Sequence, residues 1–444
     1  MPGSQRSVKF VKYFKKSDVH LITVKEESYS SFSDLNFIRT LPIKNEIIYR
    51  TSMGNIFEKL LNWRAKIRSG FKSKNIAFKD NLKEYPRLLV NVDNNEKKSL
   101  YQKIKDFIYN LCYFPDIASG WIFPAIVVGR KIIKREKIDV LFATGMPWSA
   151  LVIAYILHKL TKVPFVVDFR DPWIGNPFHQ SKGSILDNFS KWLEKSIVEN
   201  ASIVCANTET LRDEFRQRYP LILPDKFIEL PNGFDADDFK DVGKKNKRHS
   251  MNEELVLAHA GYLYEKRDPA PIIDAIKMLE ANEVEKKRRF RFLQIGNIEF
   301  NYDFKKRYSE FISNGVIELT GILPYNDCLE YLLGADVLLL IQPNTKTQVP
   351  SKLYDYLCLN RPILTITPLD GELCNIVQKH RFGDVFSPTD VIGISKKLNE
   401  LKEEKKAKGY LVADYSEKYN YDIRNTANKL EDLLFQVMRN PTKT

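Results

Sequence analysis

Three groups of residues have types and spacings that suit chemistry. The stretch Thr345–Pro362 (TKTQVPSKLYDYLCLNRP) follows the apolar run Asp336–Ile341, a short β-rich segment suited to a buried parallel strand. Pro350 and Ser351 then open a helix, whose first N–H groups and dipole suit a phosphate. Lys352 adds a mobile positive charge, and Asp355, one turn on, has the acceptors for both hydroxyls of a ribose. Taken alone, these residues equally describe a capped helix with a solvated Lys and Asp. The second group begins at Gly261, which lets backbone approach a phosphate, with Lys266 or Arg267 to neutralise it. Gly296 closes another strand end, and Thr320 and Gly321 a third, each suited to a flat base lying on backbone. The third group is Asp168-Phe169-Arg170-Asp171-Pro172-Trp173. Two carboxylates flanking an Arg can orient a hydroxyl acceptor or stiffen a loop through an ion pair, and Asp-Pro-Trp is also a good rigid turn.

The elements that must position these groups alternate regularly from Trp121 onward. Strands are expected at 139–144, 164–169, 201–206 and 227–230, with helices at 121–136, from about 147, at 184–199 and at 208–218. A charged, apolar-poor interval at 233–253 marks a domain boundary. The alternation then resumes with strands at 255–260, 290–295, 316–320, 336–342 and 362–367. Helices are expected at 269–282, 302–312, 326–334, 351–359, 371–380, 390–406 and 418–438. Short strands alternating with helices imply doubly wound parallel sheets, whose ligands sit at the carboxyl ends of strands. The fold expected is α/β, two tandem Rossmann-like domains with a cleft between them. Residues 1–235 form the first, carrying a poorly legible insertion at 25–110, and 236–415 the second. The last segment, 416–444, is a helix packing back on the first.

Composition narrows the function. With 444 residues, 43% apolar and 28% charged, the chain is that of a globular protein too long for one core. Its five cysteines lack C-x-x-C spacing and its six histidines show no H-E-x-x-H, so neither a disulfide frame nor a metal site is expected. No apolar run is long enough to span a membrane, and the N-terminus lacks signal-peptide order. The net charge of +13 is concentrated: Ile56–Ile108 holds 13 Lys/Arg against 6 Asp/Glu. No RNP, zinc-finger or helix-turn-helix pattern accompanies it, which favours an anionic membrane over nucleic acid. Ile56, Leu60, Trp63, Ile67 and Phe71 recur at helical spacing among basic residues, as in an interfacial helix or a helix packed on its own domain.

The segments VVDFRDPW (166–173), PNGFD (231–235) and VPSKLYDYLCLNRPIL (349–364) resemble GT-B-fold retaining glycosyltransferases, the family-4-like, group 1 type that builds bacterial surface polysaccharides. The resemblance runs from about residue 118 to 380 and returns in the last helix. It implies that the second domain binds a nucleotide-sugar, with Arg267 as the basic residue on the diphosphate and Lys352 and the Ser351 amide assisting. Asp355 falls where the family commonly has a ribose-binding Glu, the DFRDPW loop faces sugar and acceptor, and PNGFD is the hinge. The sequence departs from the family at Tyr262, where an Arg is frequent, at Thr347, where an acid is usual, and at Asn360, where a glycine is usual. It also departs at its start. Residues 5–24 resemble the family's first helix and second strand, so the first strand and most of its glycine-rich loop are missing. The expectation is a first sheet one strand short, or a reading frame that begins downstream of the true start.

The resemblance implies transfer of a sugar from a nucleoside diphosphate to a hydroxyl of a lipid-linked glycan, with no cofactor and no metal. Asp168, Arg170, Asp171, Arg267 and Lys352 are the expected catalytic residues. Gly261, Lys266, Gly296, Thr320, Gly321, Pro350, Ser351 and Asp355 are the expected donor contacts. The setting expected is cytoplasmic, peripheral on the inner face of the plasma membrane through 56–108, with no nucleic-acid partner. Two rivals are a non-catalytic GT-B binding subunit and a nucleotide-sugar epimerase, the latter needing acid/base His residues that are poorly placed here.

Overall fold

The computed structural model describes residues 2–25, 47–54, 100–176, 181–240, 242–243, 254–281, 290–342 and 348–439. The proposed interfacial helix at 56–71, and Thr347, lie outside them. The chain divides into two compact units, Met1–Leu230 with Ala427–Thr444, and Pro231–Thr426. Where the chain enters and leaves the second unit, its two segments are tied together. Phe234 N donates to Tyr421 O at 3.0 Å and Ile423 N donates to Phe234 O at 2.9 Å. Gly233 permits this approach, because a Cβ there would lie 2.4 Å from the Tyr421 carbonyl oxygen.

The first unit contains α1 (Pro2–Tyr13), β1 (His20–Val24), β2 (Ile47–Thr51), α2 (Leu100–Cys112), α3 (Ile122–Glu136), β3 (Leu141–Gly145) and α4 (Trp148–Thr161). It continues with β4 (Phe165–Phe169), α5 (Ser184–Asn200), β5 (Ile203–Ala206), α6 (Glu209–Arg218) and β6 (Phe227–Glu229). Strands β3-β4-β5-β6 form one parallel sheet. β4 (FVVDF) and β5 (IVCA) are buried along their whole length. Helices on both faces of a parallel sheet leave no solvated side, hence the unbroken apolar runs.

Strands β1 and β2 pair only with each other, in parallel register. Among the described residues no strand joins this pair to β3. β1 and β3 are only partly buried, unlike β4. β1 is held nonetheless, through Ile22, which packs among Ala125, Ile133, Ile153 and Leu157. Gly129 of α3 makes room, since a Cβ there would meet Leu157 and Ile22 side chains at 2.8 and 3.2 Å. The terminal helix, named α14 below (Ile423–Arg439), is fastened to the end of α1. The Glu431 carboxylate accepts from Lys15 N and Ser17 N at 3.0 Å, and from Lys16 N and Ser17 Oγ at 2.8 Å.

The second unit runs β7 (Leu255–Ala260), α7 (Ala270–Ala281), β8 (Phe290–Ile295), α8 (Phe304–Arg307), α9 (Ser309–Ser313), β9 (Ile317–Gly321) and α10 (Tyr325–Gly334). There follow β10 (Val337–Ile341), α11 (Lys352–Cys358), β11 (Ile363–Ile366), α12 (Glu372–Lys379), β12 (Asp384–Phe386) and α13 (Val391–Lys408), and the chain returns to the first unit along α14. The single helix expected at 302–312 is two short ones, because Tyr308 leaves helical geometry at φ −110 and ψ 27. The sheet order is β12-β11-β10-β7-β8-β9, with every pairing parallel. The chain winds outward from β7 through β8 and β9, then returns to β10 on the other side of β7. That reversal makes the carboxyl ends of β7 and β10 a topological switch point, the natural place for a ligand. The opposite end of these strands is closed by a buried ion pair. Lys405 Nζ of α13 donates to Asp336 Oδ2 at 2.7 Å and to Glu254 O at 2.5 Å.

Candidate active site

At the switch point three strand ends stop on glycines with positive φ: Gly261 (φ +123), Gly296 (φ +126) and Gly321 (φ +71). Backbone bonds stack them, with Gly261 N donating to Ile295 O at 2.7 Å and Gly296 N to Gly321 O at 2.8 Å. A Cβ on Gly296 would lie 2.5 Å from Gly261 O, so only glycine fits. Thr320 Oγ1 donates to Gly321 O at 2.9 Å, bracing the third end. Over this floor lies Lys352, whose Nζ would be 2.8 Å from a Cβ on Gly261.

Lys352 reaches that place because α11 is anchored on its other face. Leu353, Tyr354, Tyr356 and Leu357 are buried, and Tyr356 Oη accepts from Ala260 N at 3.0 Å. The helix has seven residues, and Ser351 ahead of it is itself helical, with no side-chain cap bond. Ser351 is exposed and Pro350 half-buried beside it. Lys352 Nζ lies 2.9 Å from His259 Nε2. Burial, and then the charge of Arg267, draw the Lys352 pKa down to about 7, against a small upward pull from Cys328. Arg267 ends the 3-10 turn Glu265–Arg267, which also carries Lys266, and its guanidinium sits 5.5 Å over the Tyr264 ring. Two cations share a corner where each raises the cost of the other, and an anion there relieves both. Asp355, one turn along α11, is hydrogen-bonded to Tyr325, whose phenol is pushed up first by burial and then by that carboxylate. Gly261, Gly296, Thr320, Gly321, Lys266, Arg267, Pro350, Ser351, Lys352 and Asp355 thus all lie at one edge of the second unit's sheet. No group of three or more His, Cys, Asp or Glu suited to a metal occurs among the described residues.

In the first unit, Asp168 ends up on the inside of β4, fully buried. Its oxygens are engaged by Arg6, through Nε and Nη2 each at 3.1 Å, and by Thr144 Oγ1 at 2.8 Å. Arg6 Nη2 also donates to Leu230 O at 2.6 Å, so the pair ties α1, β4 and the end of this unit's first segment together. Arg170 folds back on the preceding loop, donating from Nε to Gly145 O at 2.9 Å and from Nη2 to Met146 O. Burial lowers its pKa, while Asp168 and Asp171 pull the other way. Trp173 is fully buried and stacks on Trp148 at 5.4 Å, which makes the Asp-Pro-Trp segment a rigid corner. Asp171 stays partly exposed at that corner.

The family model described as Glycosyltransferase Family 4 matches residues 97–238. The match covers about a third of the chain, nearly all of it in the first unit. No curated protein matches at the sequence level. The chain resembles solved structures in fold: Anabaena Alr3699/HepE in complex with UDP aligns at 15% identity and TM-score 0.54, covering 70% of this chain and 82% of that one. The Candida albicans trehalose-6-phosphate phosphatase N-terminal domain aligns at 12% identity and TM-score 0.57, covering 98% and 92%. Sucrose-phosphate synthase from Thermosynechococcus elongatus aligns at 12% and 0.53, covering 72% and 78%. The chain thus has the GT-B architecture of two parallel α/β domains.

Sequence reasoning passed over three side chains that shape these sites, His259, Tyr325 and Arg6, and read Gln294 only as part of the strand end closed by Gly296. His259 lies within the apolar strand LVLAHA and reads as core; a polar side chain just before a strand-ending glycine was the signal available. Arg6 gives no such signal, because its partner is 162 residues away.

Proposed function

We propose that this glycosyltransferase moves a sugar from a nucleoside-diphosphate donor to a hydroxyl of a lipid-linked glycan, and that the switch point of the second unit binds the donor. The observation that carries the reading is Lys352, half-buried over Gly261 with the charge of Arg267 bearing on it. Departure of the diphosphate as the C1–O bond breaks leaves negative charge on phosphate oxygens. Lys352 and Arg267 supply the compensating charge in a desolvated corner, where each such donor is worth roughly a hundredfold or more in rate. Asp355, set by Tyr325, accepts from the ribose, and the backbone at Gly296 and Thr320–Gly321 receives the base. The HepE complexes with UDP and UDP-glucose support uridine nucleotides as the first donors to test. On the acceptor side Asp171 is the carboxylate at the rigid corner. Asp168, with both oxygens engaged, serves by holding that corner in place.

A membrane-bound acceptor is supported by the surface of the first unit. Ile104, Phe107, Ile108 and Leu111 form an exposed stripe on α2, and Ile185, Phe189 and Trp192 another on α5. The two meet through Phe114, stacked on Phe189 at 5.1 Å. Exposed aromatic and aliphatic stripes on a chain of net charge +13 suit the headgroup layer of an anionic membrane. This surface extends the expectation made for 56–108, most of which lies outside the described residues.

The test is nucleotide release from a panel of nucleotide-sugars against a lipid-linked acceptor extract. Lys352→Ala and Arg267→Ala are each expected to lower turnover at least a hundredfold with a thermal midpoint within about 2 °C of the parent. Near-normal turnover in either variant refutes the assigned role.

A further inference from the structure

We propose that His259 is a positioning residue for Lys352: oriented by Gln294, it presents a bare Nε2 that fixes the ammonium over Gly261, where a diphosphate binds. The inference rests on the donor-site reading above.

Proton bookkeeping assigns the roles. Gln294 Nε2 donates to Gly261 O at 2.7 Å and faces Gly296 O at 3.4 Å, which fixes the amide orientation. Its Oε1 therefore points at His259 Nδ1, 2.7 Å away. An amide oxygen only accepts, so Nδ1 carries the imidazole proton and Nε2 is left as an acceptor. The group facing Nε2 is Lys352 Nζ at 2.9 Å, an obligate donor when charged. A chain of three side chains thus runs from Lys352 through His259 and Gln294 back to the Gly261 carbonyl. Every member belongs to the carboxyl ends of β7 and β8 or the start of α11.

The imidazole is suited to remain an acceptor. It is fully buried, and burial, followed by the charges of Lys352 and Arg267, holds its pKa well below the ordinary value. The other groups around the pair are Arg267 from the 3-10 turn, Cys328 and Tyr325 from α10, and Asp355 and Tyr356 from α11. Burial and Asp355 push the Cys328 thiol up to about 12, so it stays neutral. Tyr325 and Tyr356 are likewise raised by burial. Lys352, at about 7, is the group in this cluster that changes charge near neutrality. A bound diphosphate favours its charged form, so binding takes up a proton as pH rises above 7. Affinity is then full below about pH 7 and falls up to about tenfold per pH unit above it.

The experiment is calorimetric titration of the full chain with pyrophosphate and with UDP, GDP, ADP and dTDP between pH 6 and 9. His259→Asn keeps a donor for Gln294 but leaves nothing at the Nε2 position, whereas His259→Gln reaches that position with an amide oxygen. His259→Asn is expected to weaken binding about tenfold and to move the pH midpoint downward, because the charged Lys352 has lost an acceptor. His259→Gln is expected to restore most of the affinity and the midpoint. Gln294→Met, which frees the tautomer, gives a second route to the same loss. In a Lys352→Met background, His259→Asn is expected to have no further effect. Unchanged binding and pH profile in both His259→Asn and Gln294→Met, or full additivity with Lys352→Met, overturns the inference alone. A parent protein that binds neither pyrophosphate nor any of the nucleotides overturns the donor-site reading and this inference with it.

Discussion

Asp168→Asn separates a positioning role from a chemical one. The carboxylate is fully buried and pairs with a guanidinium whose side chain is 4% exposed, so the substitution leaves the Arg6 charge in the interior without its counter-ion. Breaking a buried pair from one side costs roughly 3–5 kcal/mol. Two contacts soften the loss here: Asn retains an oxygen for Thr144 or Arg6, and Leu230 O still accepts from Arg6 at 2.6 Å. The lower end, about 3 kcal/mol, is therefore expected. In a domain of this size each kcal/mol moves the melting point by roughly 2–4 °C, which gives a fall of about 6–12 °C. Thermal melts followed by circular dichroism read the change, and hydrogen exchange in β3, β4 and β5 locates it in the first unit. Arg6→Met is expected to behave similarly, and the double variant to lose less than the sum of the two. A midpoint within 1 °C of the parent, with turnover abolished, would refute the reasoning and return Asp168 to the chemistry.

Two further outcomes are expected. Burial pushes the Glu431 carboxyl up, but its bonds from Lys15, Lys16 and Ser17 outweigh that and hold it below the ordinary value of a glutamate. Its contribution is therefore present above about pH 4.5 and lost as pH falls through the lower folded value; Glu431→Gln should lower the midpoint at pH 7 by a few degrees and flatten the acid limb of a melt-versus-pH series. Phe189→Ser with Trp192→Ser should reduce co-flotation with vesicles containing anionic lipid several-fold while leaving nucleotide affinity unchanged; equal flotation of parent and variant would exclude this face as the membrane contact.

Much of the second unit was legible in the sequence. β7 and β8 fall where the apolar runs place them, and Gly261, Gly296 and Gly321 were marked because a strand that stops on glycine before a helix is a local signal. Lys352 was marked for the same reason, by its place after a buried strand. The first unit was less legible. β2 escaped notice because IIYRT sits in a polar surround without regular alternation, and β12, three residues long, is too short to show a period. The helix expected at 351–359 is shorter than its pattern implied, seven residues beginning at Lys352.

The sequence by itself determined the order of strands and helices, the two α/β units, and the glycine and lysine positions at one sheet edge, because period, strand length and turn residues act over a few neighbours. Only the tertiary structure decided that Asp168 pairs with Arg6 and that a histidine in an apolar strand lies against Lys352. These depend on groups 162 and 93 residues apart, and no local pattern carries a contact over that separation.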